Sequence, residues 1–261
     1  MRVHLAQIGY GDDESVPERR DRVAALVARQ AGADLIVLPE LWAHTGMGFE
    51  QWKQVAEPVD GPTFTAIADA TRRVGAYVHA GSIVERDEHG DYYNTSALLA
   101  PDGSRLATYR KIHRFGFSVG EPAIMQPGRD IVTATITVDG RSTVVGLATC
   151  YDLRFPEMFR LLLDAGSEMI IVPAAWPAAR VAHWTLLGRA RAVENQVFVI
   201  AVNTAGTHNG VTMGSRSQLV DPGGTVLAEL GDGEQVQVVD IDLGVVADVR
   251  RDFPVLADRR L

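Results

Sequence analysis

The chain has 261 residues, 46% hydrophobic and 22% charged, with a formal net charge of −8. That length suits one α/β domain able to bury most of its apolar surface, and the acidic balance argues against nucleic acid as the main partner. No apolar run approaches the roughly 20 residues that would span a bilayer, so no membrane partner is expected. The N-terminal MRVHLAQIGY lacks the long apolar core and cleavage site of a signal peptide. A single cysteine makes neither an internal disulfide nor, alone, a structural zinc site, so a reducing, cytoplasmic setting is expected.

Short apolar runs alternate with amphipathic stretches. Arg2–Ile8 reads as a first strand and Val16–Ala31 as a helix, with Val16, Val23, Leu26, Val27 and Gln30 on one face. Asp34–Leu38 is a buried strand running into Pro39 and Glu40. Pro62–Val74 is helical, with proline in the first turn. Ala76–Ile83 is a strand. Tyr92–Ala100 and Arg105–Tyr109 flank the turn Pro101-Asp102-Gly103, and Ile131–Val138 and Thr143–Ala148 flank Asp139-Gly140. A helix over Phe155–Ala165, a strand Met169–Val172 ending at Pro173, a long helix Ala179–Gln196 and a strand Val197–Val202 follow. Ser215–Val220 and Thr225–Glu229 surround Asp221-Pro222-Gly223-Gly224. The strand Gln235–Ile241 and a short helix over Leu243–Val249 lead to an extended tail. Alternating strands and helices with hairpins indicate a mixed-sheet α/β fold covered on both sides.

Three strand ends carry chemistry. Cys150 closes Val144-Val145-Gly146-Leu147-Ala148-Thr149 and precedes a helix. A thiol at a helix N-terminus is expected to have a lowered pKa and free backbone N–H groups beside it; the alternative is an inert packing cysteine. Glu40 follows Leu35-Ile36-Val37-Leu38-Pro39, at the carboxyl end of a buried strand where α/β sheets place their sites, and suits a general base. The alternative is a helix-initiating or surface glutamate. Lys111 follows Arg105–Tyr109. It and Lys53 are the only lysines, arginine serving elsewhere as the cation. Lys53, in Glu50-Gln51-Trp52-Lys53-Gln54, reads as a solvated helix residue. An ammonium retained at Lys111 suits oxyanion stabilisation, against the alternative of one more charge in a basic patch. The arginines near Arg19–Arg22 and Arg259–Arg260 read as solvated surface. Base, cation and nucleophile together make a complete acyl-transfer set.

Leu38-Pro39-Glu40, Tyr109-Arg110-Lys111-Ile112-His113 and Gly146-Leu147-Ala148-Thr149-Cys150-Tyr151-Asp152-Leu153-Arg154-Phe155-Pro156-Glu157 resemble, in order and spacing, the three signature segments of the nitrilase (carbon–nitrogen hydrolase) superfamily. Tyr93-Asn94-Thr95-Ser96, Arg189-Ala190-Arg191-Ala192-Val193-Glu194-Asn195 and Arg251-Asp252-Phe253-Pro254-Val255 extend the likeness over nearly the whole chain. The resemblance implies a four-layer α-β-β-α sandwich with two mixed sheets, one domain over residues 1–261, and no metal or organic cofactor. It implies a C-terminal tail, about 243–261, used in subunit pairing, hence a homodimer or larger homo-oligomer. It also implies a second glutamate after the lysine, for which Glu121 is the candidate, and an oxyanion contact from the Tyr151 N–H.

Around this core, Arg114 and Arg154 are candidates to meet a substrate carboxylate. Asp152 and Arg154 are expected to fix the cysteine turn by local ion pairing. Trp176 is a candidate pocket wall or core residue. His113 and His183 read as structural or pocket-lining. The closest-looking branch is omega-amidase-like, hydrolysing small carboxylate-bearing amides. Carbamoyl or nitrile hydrolysis, and a non-hydrolytic binding relative, are the alternatives.

Overall fold

A computed structural model describes residues 1–260. Two six-stranded sheets form its centre. The first runs Gln235–Asp240, Arg2–Gln7, Leu35–Val37, Tyr77–Arg86, Tyr92–Leu99, Arg105–Arg110; the second runs Val226–Glu229, Gln218–Val220, Phe198–Asn203, Met169–Ala174, Arg141–Leu147, Thr133–Val138. In each sheet the middle three strands are parallel and the outer ones antiparallel.

The two-residue period of a strand sorts its side chains into layers. Val3, Leu5, Leu35 and Val37 of the first sheet share a core with Val145, Leu147 and Ile171 of the second. Their neighbours Ala6, Ile8, Ile36 and Leu38 face the other way, onto Val23, Leu26 and Val27 of the helix Val16–Ala28 and Phe64 and Ile67 of the helix Pro62–Val74. Phe159, Leu162, Trp184 and Ala192, from the helices Pro156–Asp164 and Val181–Asn195, cover the second sheet. The result is the four-layer sandwich, helices outside and sheets inside.

Most predicted elements recur within a few residues. Pro62–Val74 has the expected bounds and ends on Gly75 at φ 70°, the left-handed cap that glycine adopts without strain. Asp139 and Gly140 both have positive φ (50° and 76°), as a two-residue type I′ hairpin requires. The first helix stops at Ala28, shorter than expected.

One strand continues where its sequence suggested a stop. Met169–Ala174 passes through Pro173, which pairs with Val202. Ile171 O accepts from Ala148 N on one side, and Ala174 O accepts from Thr204 N on the other. The Pro173 nitrogen therefore faces the side on which Arg141–Leu147 has already ended, and its missing N–H breaks no ladder bond. A small sheet also went unread: Gly9–Tyr10 and Ala205–His208 pair in parallel, joining the extensions of the two central strands. The two sheets' parallel strands thus end at one place, and the site lies there.

Candidate active site

Glu40, Lys111, Glu121 and Cys150 line one cleft. Glu40 stands just past the strand Leu35–Val37. Lys111 is the first residue after Arg105–Arg110, and Glu121 opens the short helix Glu121–Ile124. The two carboxylates and the ammonium are each at most 3% exposed. Lys111 Nζ donates to Glu40 Oε1 at 2.7 Å and to Glu121 Oε1 at 2.9 Å. Glu40 Oε2 accepts the Ala175 N–H at 2.8 Å, and Glu121 Oε2 accepts the Phe115 N–H.

Burial alone would lower the Lys111 pKa, but the Glu121 and Glu40 charges outweigh it and hold it well above the ordinary lysine value. Two carboxylates sharing one cation leave an excess negative charge. Glu121 responds: burial, reinforced by Glu40 and opposed by Lys111, raises its pKa. The expected second glutamate thus lies in the same cluster as the first.

Cys150 sits on a strained turn. Its φ of +48° lies in the left-handed region that non-glycine residues rarely adopt. The turn opens the 3-10 helix Cys150–Arg154, and the α-helix begins only at Pro156, so the thiol is not at an α-helix N-terminus as its sequence suggested. The expected lowering of its pKa is also reversed. Burial and the nearby Glu40 carboxylate, only partly offset by Lys111, push the thiol well above its ordinary range. At neutral pH it is therefore a protonated thiol beside a carboxylate.

The turn is pinned to the lysine segment. Asp152, fully buried, accepts from Thr149 N at 2.8 Å and Tyr109 Oη at 2.6 Å through Oδ2, and from His113 N at 3.0 Å and His113 Nδ1 at 2.8 Å through Oδ1. Burial first, then the Asp152 charge, raises the Tyr109 pKa, so the phenol stays a neutral donor. Tyr109 and His113 thus grip the cysteine turn while Lys111, between them, reaches the carboxylates. His113 also stacks on Phe155 with ring centroids 3.7 Å apart.

The expected ion pairing of Asp152 with Arg154 does not form. Arg154 lies over the Trp176 ring, 4.7 Å from its centroid, and lines the cleft with Trp176 and Tyr151. Trp176 is both wall and core: it is 3% exposed, its N–H donates to Asn203 Oδ1 at 2.7 Å and its indole to Arg180 O at 2.8 Å. Arg114 is directed elsewhere, donating to Met125 O at 2.8 Å, and is not among the residues lining the cleft. His183 is exposed, in the adjoining groove with Phe117 and Val119, its Nδ1 3.3 Å from Arg154 Nη2.

The sequence reading overlooked three residues. Asn94 Nδ2 donates to Glu40 Oε1 at 2.8 Å and to Glu121 Oε1 at 2.6 Å. Arg180 lines the cleft. Arg19, read as solvated surface, is 1% exposed and donates to the carbonyls of Trp42, Ala43, Gly11 and Glu14, to Thr45 Oγ1 and to the Glu14 carboxylate. It holds the loop after Glu40, which supplies Leu41, Gly46 and Met47 to the cleft. An arginine at 3.6-residue spacing from Val23 and Leu26 sits on the helix's inner face, the one signal that marked it. Arg259 is tied to Asp164 at 2.6 Å, while Lys53 is solvent-exposed as expected.

Among the described residues no group of three or more histidine, cysteine, aspartate or glutamate side chains is arranged to hold a metal ion, and no helix is long and apolar enough to cross a membrane.

The chain belongs to the carbon–nitrogen hydrolase family, whose sequence model matches residues 2–251; it is a hydrolase of amide carbon–nitrogen bonds working through a cysteine. A 2-oxoglutaramate amidase of Paenarthrobacter nicotinovorans is 40% identical to it, the match covering 99% of this chain and 89% of that protein. The omega-amidase NIT2 of Danio rerio is 35% identical over 92% of this chain and 88% of its own length. Among solved structures, the CN-hydrolase superfamily protein XC1258 of Xanthomonas campestris superposes with a TM-score of 0.89 at 32% identity, covering 100% of this chain and 97% of that one. An amidase of Nesterenkonia sp. AN1, carrying acrylamide added to its active-site cysteine, superposes with a TM-score of 0.83 at 26% identity over 98% and 99%.

Proposed function

We propose that Cys150 is the nucleophile, Glu40 the general base and Lys111, with the Tyr151 N–H, the oxyanion holder, acting on a small amide that carries a carboxylate. The observation that carries this reading is the buried Lys111 ammonium shared by Glu40 and Glu121, in one cleft with a protonated thiol on a strained turn. Cys150 transfers its proton to Glu40 as sulfur attacks the amide carbon, and negative charge builds on the carbonyl oxygen against Lys111. Glu40 returns the proton to the leaving nitrogen, ammonia departs, and a thioester remains. Glu40 then takes a proton from water, whose oxygen attacks the thioester and frees the acid and Cys150. Glu121 holds Lys111 in place throughout.

Electrostatics favour one orientation of such a substrate. The catalytic floor carries excess negative charge, so a second carboxylate is repelled from it. Arg154 and Arg180 line the same cleft, and among the described residues neither has a carboxylate within ion-pair distance. The reading pairs the substrate carboxylate with these guanidiniums and its amide with Cys150, all of which line the one cleft. The names of the relatives, a 2-oxoglutaramate amidase and omega-amidases, support a monoamide of a dicarboxylate.

The test is ammonia release across succinamate, glutaramate, 2-oxo acid amides, carbamoyl amino acids, a nitrile and the neutral amide butyramide, with intact-mass detection of an acyl adduct. The expected result is release and a Cys150 adduct with the carboxylate amides, both lost in Cys150→Ala. Butyramide turned over as well as glutaramate would refute the carboxylate reading. Turnover by Cys150→Ala would refute the nucleophile.

A different observation supports a homo-oligomer. Leu161, Leu186 and Val193 on the outer helices, with Phe253 and Val255 of the tail, are exposed between 40% and 67%. The tail lies against the long helix, Gln196 Nε2 donating to Phe253 O at 2.7 Å. Apolar side chains so placed suit pairing with a second copy of the chain.

A further inference from the structure

Asn94 lies in the strand Tyr92–Leu99, beside the strand that delivers Lys111, and its carbonyl accepts the Lys111 N–H at 2.9 Å. Its side chain is almost wholly buried (the residue is 3% exposed), and its Nδ2 reaches the same two oxygens that accept Lys111 Nζ. Two donors and two acceptors therefore close into a ring of four hydrogen bonds. Chemistry fixes the amide's orientation, because an ionised carboxylate only accepts and the NH₂ must face it. The donor is also neutral, so it draws the two carboxylates together without adding a charge.

The ring settles which part of Glu40 is free. Each carboxylate oxygen has two lone pairs. On Oε1, one is taken by Lys111 and one by Asn94; on Oε2, one is taken by Ala175 N–H. One lone pair remains, on Oε2. Lys111 likewise spends two of its three protons on Glu40 and Glu121 and keeps one for a developing oxyanion.

We propose that Asn94 is a positioning residue, acting through Glu40 and Glu121, that confines the free basicity of Glu40 to Oε2 and keeps the third Lys111 proton for the oxyanion. The proposal rests on the assignment of Cys150 as nucleophile and Glu40 as base.

The experiment follows alkylation of Cys150 by iodoacetamide, read by intact mass against pH, and therefore needs no knowledge of the physiological substrate. Wild type, Asn94→Leu and Asn94→Asp are compared, with kcat and KM on the best amide. Loss of hydrogen bonds to charged acceptors predicts alkylation and kcat about 10–100-fold slower in Asn94→Leu, with KM within about threefold. The acid limb of the profile moves to higher pH, because carboxylates that lose donors hold their protons more tightly. Asn94→Asp, close in size, moves the limb the same way through a third negative charge, and carries the test should Asn94→Leu not fold. A limb left at its wild-type position in either folded variant overturns the proposal alone. A wild-type profile with no acid limb overturns the base assignment, and the proposal with it.

Discussion

Lys111→Met removes the only cation between two buried carboxylates while keeping a side chain of similar length. The Lys111 side chain is 1% exposed and its two partners 3% each, so solvent does little to screen what is left behind. Breaking a buried pair by deleting one partner costs about 3–5 kcal/mol. At about 2–4 °C per kcal/mol for a chain near this size, the melting temperature falls by about 6–20 °C. The loss must also depend on pH. Glu121 already has a raised pKa with Lys111 present, and without the ammonium that opposes the shift it rises further. A carboxyl whose folded pKa is raised binds a proton that the unfolded chain has released. Stability then falls as pH climbs from the unfolded value through the folded one. Urea denaturation at pH 5.5 and pH 8 is the assay: the deficit against wild type is larger at pH 8, and adding Glu121→Gln restores part of it. A Lys111→Met protein as stable as wild type at pH 8, or with the same deficit at both pH values, refutes the reasoning.

Arg19→Met leaves the carbonyls of Trp42 and Ala43 without their buried donor, and should cost at least about 2 kcal/mol. It should also raise KM by loosening the loop that carries Leu41, Gly46 and Met47; an unchanged melting temperature and KM would show that the loop holds itself. Light scattering should give the wild type at least twice the chain mass, and Leu186→Glu combined with Phe253→Glu should reduce it. A wild-type monomer refutes the pairing.

The sheets and helices were legible because they obey local periods. Val3, Leu5, Leu35 and Val37 alternate with residues that face the helices, and that alternation is written in the sequence. Glu40, Lys111, Glu121 and Cys150 were legible as candidates because each lies at or near an element end. Their partners were not. Asn94 meets Glu40 across 54 positions and Tyr109 meets Asp152 across 43; no local pattern encodes such a pair. The error over Cys150 has the same origin: its place before a helix suggested a lowered pKa, while burial and the Glu40 carboxylate 110 positions away raise it. Arg114 and Arg154 looked interchangeable as neighbours of the motifs. Only the first is held by a backbone carbonyl outside the cleft.

The retention of lysine at position 111, in a chain otherwise supplied with arginine apart from Lys53, now has a geometric reason. A compact ammonium offers three protons from one atom. Glu40 and Glu121 accept two of them, so one is left, and it is the one the proposed chemistry needs. A guanidinium would bring five N–H donors on a planar fork into the same buried space. Glu40 Oε1 and Glu121 Oε1 already receive Asn94, and their other oxygens receive Ala175 N–H and Phe115 N–H. Several of the fork's protons would then be buried without acceptors, at a cost of about 1–3 kcal/mol each. The residue type, the two carboxylates and the amide that links them are therefore one arrangement. Burial, together with the Glu40 carboxylate, in turn keeps Cys150 protonated, the state from which the proposed attack begins.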